Sequence, residues 1–313
     1  MSIDNAADMH LSGKETHEYP NIHGIHTHVI KCGQIDSTKR LVVVIPGNPG
    51  AIGFYEKFMS TLHKESGWPV WGLSHAGHSV IPKHVGWKAP LSEVFTMKGQ
   101  IEHKVRFIDE HVPKDVKMVL IGHSIGAQFV LEVMERLYSD RVIQGMLLFP
   151  TLEKMAESPR GKRLTPVFKY WRWLLVFMSA MLWLLPTSWK TRLINNVFEK
   201  RRRAFKSVPD CIKKTAHSMV HPYCVWNATY LANIEMQTVV DLKVHIVRRH
   251  LAKLRFYYGA TDHWAPPEHY HRMVELFPSH DKIELCTDGF RHAFIIDASE
   301  PMASKVSGWL QIL

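Results

Sequence analysis

Hydrophobic and polar positions follow two alternating patterns along the chain. Residues 41–45, 70–74, 116–120, 142–149, 254–258 and 282–286 are short apolar runs rich in β-branched and aromatic side chains. Such runs suit strands buried on both faces of a parallel sheet. Between them, residues 101–112, 127–137, 267–277 and 301–313 repeat their apolar positions with a helical period. Alternation of this kind predicts an α/β chain with a mostly parallel, doubly wound sheet, whose ligand chemistry sits at the carboxyl ends of the strands. With 313 residues, 46% of them hydrophobic, there is enough apolar material for one large core. The pattern breaks once: about a hundred residues separate the strand ending near 149 from the one starting near 254, far more than a bare connection takes. The expected division is therefore a core in two parts, residues 1–150 and 251–313, around an insertion at 151–250.

Between the apolar run at 116–120 and the helical stretch at 127–137 stands Gly122-His123-Ser124-Ile125-Gly126. Strand, sharp turn with serine, and helix make a nucleophile elbow, which needs small residues two before and two after the serine because neighbouring backbone comes too close for a Cβ. The turn would lift the Ser124 hydroxyl clear of the sheet and set it at the positive end of a helix dipole.

In sheets that carry such an elbow the partners follow in the order serine, acid, histidine. Gly259-Ala260-Thr261-Asp262 follows the strand at 254–258, making Asp262 the candidate acid, and Asp288-Gly289-Phe290-Arg291-His292 follows the strand at 282–286, making His292 the candidate base. A serine hydroxyl is a weak nucleophile until an imidazole takes its proton, and a buried carboxylate fixes that imidazole's tautomer. Twenty-one histidines make position decisive. His263, His269, His271 and His280 lie before the last strand, where a solvated helix face is expected, and Asp288 and Asp297 are rival acids. The oxyanion donors should be the backbone N–H of Ile125 and one from Pro46-Gly47-Asn48-Pro49-Gly50. Pro49 has no N–H, so Asn48 is the expected donor.

The insertion contains residues 171–186, Trp171-Arg172-Trp173-Leu174-Leu175-Val176-Phe177-Met178-Ser179-Ala180-Met181-Leu182-Trp183-Leu184-Leu185-Pro186, which has no charge after Arg172 and no polar stripe. Residues 151–214 hold fifteen Lys/Arg against four Asp/Glu, a net of +11, while the whole chain is +10, so the rest is near neutral. Basic residues, including Lys200-Arg201-Arg202-Arg203, flank the apolar run, and tryptophans stand near its ends. That composition fits an interfacial anchor, with Trp171, Trp173, Leu174, Leu175, Phe177, Leu182, Trp183 and Leu184 entering the lipid. The run is short for a span, which takes roughly 20 residues. A dip or hairpin in one leaflet is the expected form, with a buried lid helix or a true span as alternatives. Nucleic-acid binding is not expected, since the charge clusters beside the most apolar segment.

Residues 1–30 are polar and histidine-rich with no apolar core, so a secretory signal is not expected. Cys32, Cys211, Cys224 and Cys286 are scattered without metal spacing, which fits a reducing compartment. His26/His28 and His269/His271 lack the further ligands that would complete a metal set, so neither metal nor cofactor is expected.

Taken together, Pro46-Gly47-Asn48-Pro49-Gly50, Ser74-His75-Ala76-Gly77-His78, Gly99-Gln100-Ile101-Glu102-His103-Lys104, His111-Val112-Pro113-Lys114-Asp115, Ile121-Gly122-His123-Ser124-Ile125-Gly126, Leu148-Phe149-Pro150-Thr151, Glu157-Ser158-Pro159, Phe256-Tyr257-Tyr258-Gly259 with Asp262 and Trp264, and His292-Ala293-Phe294 resemble the lipid-droplet-associated hydrolase family. The resemblance runs from about residue 40 to the end, less closely through the insertion. It implies an α/β-hydrolase fold and a cytosol-facing serine hydrolase of the endoplasmic reticulum and lipid droplets. Ser124, Asp262 and His292 would be its triad, and the apolar insertion its droplet-targeting element. Two functions follow: hydrolysis of a lipid ester such as a sterol ester or acylglycerol, or a droplet-surface protein with weak hydrolase activity. Haloalkane dehalogenase and epoxide hydrolase chemistry would need aspartate where Ser124 stands. An aminopeptidase would need a carboxylate pocket that the sequence does not reveal.

Overall fold

A computed structural model of the chain describes residues 15–86, 95–137, 140–200 and 208–313. Its strands are β1 (Thr16–Glu18), β2 (Asn21–Ile22), β3 (Ile25–His26), β4 (Val29–Cys32), β5 (Arg40–Ile45), β6 (Val70–Leu73), β7 (Lys117–His123), β8 (Val142–Leu148), β9 (Leu254–Gly259) and β10 (Ile283–Cys286). All but β2 and β3, which form a small hairpin, join one sheet in the order β1-β4-β6-β5-β7-β8-β9-β10. Pairing is parallel from β6 through β10, and antiparallel only where β4 joins β6 and β1 joins β4. The chain thus has the doubly wound α/β-hydrolase architecture. The antiparallel edge was not foreseen, because β1 and β4, of three and four residues, carry charged or polar side chains that break any apolar run.

The central strands show why their sequences are unbroken apolar runs. In β5, Leu41, Val43 and Ile45 pack into the core on one face, and Val42 and Val44 into the core on the other; in β7, Met118 and Leu120 divide from Val119 and Ile121 in the same way. Helices α1 (Glu56–Ser66) and α11 (Ser299–Leu310) pack against each other over one face, while α2 (Met97–His111) and α3 (Ile125–Leu137) meet over the other. Each fully buried Val, Leu or Ile contributes about 1.5–3 kcal/mol, so the two-sided burial of β5 and β7 outweighs any strand propensity.

Between β8 and β9 run α4 (Pro159–Tyr170), α5 (Arg172–Leu184), α6 (Thr187–Lys200), α7 (Asp210–Met219), α8 (Pro222–Thr238) and α9 (Val244–His250), and α10 (Pro267–Leu276) follows β9. Ser158 caps α4 by accepting from the Gly161 N–H, with Pro159 at the first turn, a favourable start. Trp171 breaks the chain between α4 and α5, whose axes differ by 77°. Among the described residues no single helix is long and apolar enough to cross a membrane, and only the bent pair α4 and α5 passes that test together. Arg201, Arg202 and Arg203 lie outside the described residues.

Candidate active site

β7 ends at His123 and α3 begins at Ile125, so the elbow is a single residue, tighter than the sequence pattern implied. Ser124 takes φ +55°, a left-handed backbone rare for a side chain of this type. A Cβ on Gly122 would come within 2.4 Å of the Gly126 carbonyl oxygen, and one on Gly126 within 2.3 Å of the Ile45 oxygen. Neither position tolerates a side chain, which is the physical reason for the two glycines.

Parallel register brings the other candidates to the same sheet edge. Ile45 pairs with Gly122, and His123 with Leu148, so the loops after β5 and β7 adjoin. Asp262 follows β9 and His292 follows β10. His292 Nδ1–H donates to Asp262 Oδ2 at 2.6 Å, and its Nε2 accepts from the Ser124 hydroxyl at 2.9 Å. Asp262 is buried, and its other oxygen accepts from the Trp264 N–H at 2.7 Å. Burial by itself would raise the Asp262 pKa, but His292 beside it and the N–H groups of Trp264 and Ala265 outweigh that and hold it below its ordinary value. The rival acids are engaged elsewhere: Asp288 accepts from the Tyr257 hydroxyl, and Asp297 pairs with Arg291. Of the rival histidines, His263 and His271 are exposed as expected, and His280 is half-buried with its Nε2 on the Leu254 carbonyl. His269 departs from expectation: it is buried, because it faces inward from α10.

A Cβ on Gly47 would lie 2.8 Å from the Ser124 Cβ, so the loop after β5 abuts the serine. The Gly47 N–H is taken by the Tyr55 hydroxyl at 2.8 Å. Tyr55 in turn donates to His123 Nδ1 at 2.6 Å, and His123 Nε2–H donates to the His292 carbonyl at 2.8 Å. Directions along this chain are unique, since the final carbonyl can only accept. Burial, with His292 close by, pushes His123 down to about 3, keeping it neutral and able to accept from Tyr55. Three hydrogen bonds, two of them buried, therefore tie the Gly47 loop to the His292 loop. Nothing in the sequence announced this role for Tyr55 or His123, which are separated by 68 positions.

Above the serine lies a cavity of about 500 Å³, walled by Phe54 and Tyr55, by Phe168 of α4, Phe198 of α6, Ile212 of α7, Ala228, Ala232, Glu235 and Met236 of α8, and by Trp264 and Ile295. No lysine or arginine lines it among the described residues. Asn48 reaches across with its side-chain amide, donating to the Ala228 carbonyl and to Glu235 Oε1, each at 2.9 Å. Glu235 was missed from the sequence, although a lone carboxylate on the small-residue face of Ala228 and Ala232 was the available signal. His75, His78, His103 and Lys104, from motifs singled out above, are buried away from the cavity wall, with His75 and Lys104 against the Phe129 ring and Lys104 Nζ donating to Gln100.

The apolar insertion presents a divided surface. Trp171, Trp173, Phe177, Met178, Met181, Trp183 and Leu184 are exposed, while Leu174, Leu175 and Leu182 are half-buried, and α5 packs on α8 with Arg172 over the Trp226 and Tyr230 rings. α5 is thus neither a buried lid helix nor free of the fold.

The chain is 38% identical over 307 residues to a lipid droplet-associated hydrolase of Gallus gallus, with 92% of each chain covered. It is also 38% identical over 308 residues to one of Mus musculus, again with 92% of each covered. Among solved structures, a serine hydrolase involved in carbazole degradation matches with a TM-score of 0.64 at 15% identity, over 96% of this chain and 100% of that one, a likeness of fold. The family model for lipid-droplet associated hydrolases matches residues 38–295, which span the elbow, the loops of Asn48, Asp262 and His292, and the helices that roof the cavity, and the chain belongs to that family.

Proposed function

We propose that the protein hydrolyses carboxylic esters of lipids at the cytosolic surface of lipid droplets and the endoplasmic reticulum, with Ser124 as nucleophile, His292 as general base and Asp262 as the group that orients it. The hydrogen-bonded chain from Ser124 through His292 to Asp262, at the floor of an apolar cavity, carries this reading. Ser124 Oγ attacks the ester carbonyl carbon as its proton passes to His292 Nε2, and the N–H groups of Asn48 and Ile125 hold the oxyanion. The bond to the alcohol oxygen then breaks, and His292 returns the proton to that leaving oxygen. Water attacks the acyl-enzyme, giving its proton to His292, which passes it to Ser124 Oγ as the acyl bond breaks, so the fatty acid leaves with Ser124 restored. Asp262 stays ionised throughout, stabilising the imidazolium.

The relatives' names supply the lipid droplet, and the exposed apolar side chains of α5 supply a means of reaching it. Trp171, Trp173, Phe177, Trp183 and Leu184 would enter the lipid first, with the half-buried Leu174, Leu175 and Leu182 behind them. α8, on which α5 packs, walls the cavity, so an ester leaving the lipid would meet the site one helix away from the docking face. A weakly active surface protein, the other reading, would show the same docking without turnover. Glu235 lines the cavity, but burial keeps its carboxyl largely neutral at pH 7, which does not suit the anionic pocket an aminopeptidase needs.

A fluorophosphonate probe tests the assignment, since it reacts with an imidazole-activated hydroxyl and not with ordinary serines. Labelling is expected on Ser124 and should vanish in Ser124→Ala. His292→Ala and Asp262→Asn should each lower turnover of a short-chain ester by orders of magnitude, and His263→Ala should have little effect. Labelling that survives Ser124→Ala sinks the nucleophile assignment. Full labelling with no turnover of any ester favours the weakly active surface protein.

A further inference from the structure

Glu235 is the one acidic residue lining the cavity among the described residues, and it is fully buried. Its Oε1 accepts from the Asn48 side-chain amide at 2.9 Å, while its Oε2 has no hydrogen-bond partner within the protein. A buried polar atom left unpaired is destabilising, and folds retain one where it serves a purpose. Position suggests the purpose. Asn48 follows Gly47, whose backbone abuts Ser124, so Glu235 stands one side chain away from the reacting serine. The surrounding wall is mostly apolar, with side chains such as Phe54, Met155, Phe168 and Ile295, and the Thr229 hydroxyl that also lines it is engaged in donating to the Val225 carbonyl.

We propose that Glu235 Oε2 is a polar subsite for a free hydroxyl on the alcohol part of the substrate, close to the scissile ester. This rests on the ester-hydrolase reading and narrows its substrate class. Partial acylglycerols and similar hydroxy esters fit, whereas sterol esters and triacylglycerols carry no hydroxyl to meet the carboxyl. Burial pushes the Glu235 pKa up to about 8, so at neutral pH the group is mostly a carboxylic acid. In that form it donates to a hydroxyl oxygen without adding a charge to the apolar cavity. A site built to hydrogen-bond a substrate hydroxyl discriminates against the analogue that lacks it, because the protein's group is then left unpaired with water excluded.

The experiment compares kcat/KM at pH 7 for two esters of one acid, 2-hydroxypropyl octanoate and 2-methylpropyl octanoate, in which a methyl replaces the hydroxyl. The wild type should prefer the hydroxy ester by about tenfold or more, the size expected when one buried group loses its bond. Glu235→Gln should keep most of that preference, because the amide accepts from Asn48 and donates to the hydroxyl. Glu235→Leu should bring the ratio near one, and Glu235→Met, closer in shape, repeats the comparison if the leucine variant does not fold. A wild-type ratio near one, or a preference that survives in the leucine or methionine variant, overturns the subsite while leaving the ester-hydrolase reading intact. Failure of the wild type to cleave either ester, with Ser124 still labelled by fluorophosphonate, sinks the substrate reading and the subsite with it. Cleavage of L-alanyl 4-nitroanilide lost in Glu235→Gln would mean that the carboxyl anchors an ammonium, and the hydroxyl subsite would be wrong.

Discussion

Residue by residue, the two carboxyls near Ser124 move in opposite directions, since burial raises both and only Asp262 has partners that outweigh it. Glu235 moves up to about 8 from its ordinary 4.5, so between those values the folded chain holds a proton that the unfolded chain has released. Stability therefore falls as pH rises across that interval, by about 1.4 kcal/mol per unit, and is fully present only below it. Glu235→Gln removes this dependence. In thermal melts from pH 5 to pH 9, its advantage over the wild type should widen steadily to about pH 8 and then level off. Parallel curves would show that Glu235 is ionised in the fold at no cost. Asp262, held below its ordinary value, has the opposite sign: its contribution is present above the ordinary carboxylate range and is lost on acidification. At this scale the sequence was legible where chain order constrains position. Ser124, Asp262 and His292 each follow a recognisable strand, and parallel pairing brings their side chains together. The links from Gly47 through Tyr55 and His123 to the His292 carbonyl were illegible, because they depend on distances between loops.

Among the elements, α5 has the least settled environment. Seven of its large side chains, counting Trp171 at its start, face solvent, and burying each in lipid would contribute about 1.5–3 kcal/mol, against about 1 kcal/mol for each basic residue near an anionic surface. Insertion should dominate, and salt should weaken binding only modestly. Trp173, Phe177, Met181 and Leu184 changed together to serine should leave lipid droplets in a flotation assay and keep activity on a short, soluble ester. These positions suit the test because they are exposed, whereas Leu174, Leu175 and Leu182 are half-buried in a helix that packs on α8, a wall of the cavity. Glutamine at Arg201, Arg202 and Arg203 should weaken flotation slightly. A serine variant that floats as well as the wild type refutes the docking role of α5. Hydrophobic composition marked this helix as unusual, but it gave no indication that a break at Trp171 would set α4 and α5 77° apart.

For the molecule as a whole, burial is concentrated in the sheet and its flanking helices. β7 is buried from Met118 to His123, whereas Ser179 is the buried residue of α5 and Lys190 that of α6 among the residues described there. Amides of β7 and α3 should exchange only on global opening, and those of α5 and α6 by local opening, faster by about a hundredfold or more. Anionic phospholipid vesicles should slow exchange in α5 and leave β7 unchanged, a pattern hydrogen-exchange mass spectrometry resolves; uniform exchange would contradict it. The sequence by itself determined the alternating α/β order, the elbow with its two obligatory glycines, and the chain order of serine, acid and histidine, because these follow from side-chain periodicity and from local backbone sterics. Only the tertiary structure decided that Glu235 meets Asn48 through one oxygen and leaves the other unpaired, that His269 turns inward, and that α5 shows one face to solvent and the other to α8. Each of these depends on which distant segments meet, and local pattern carries no information about that.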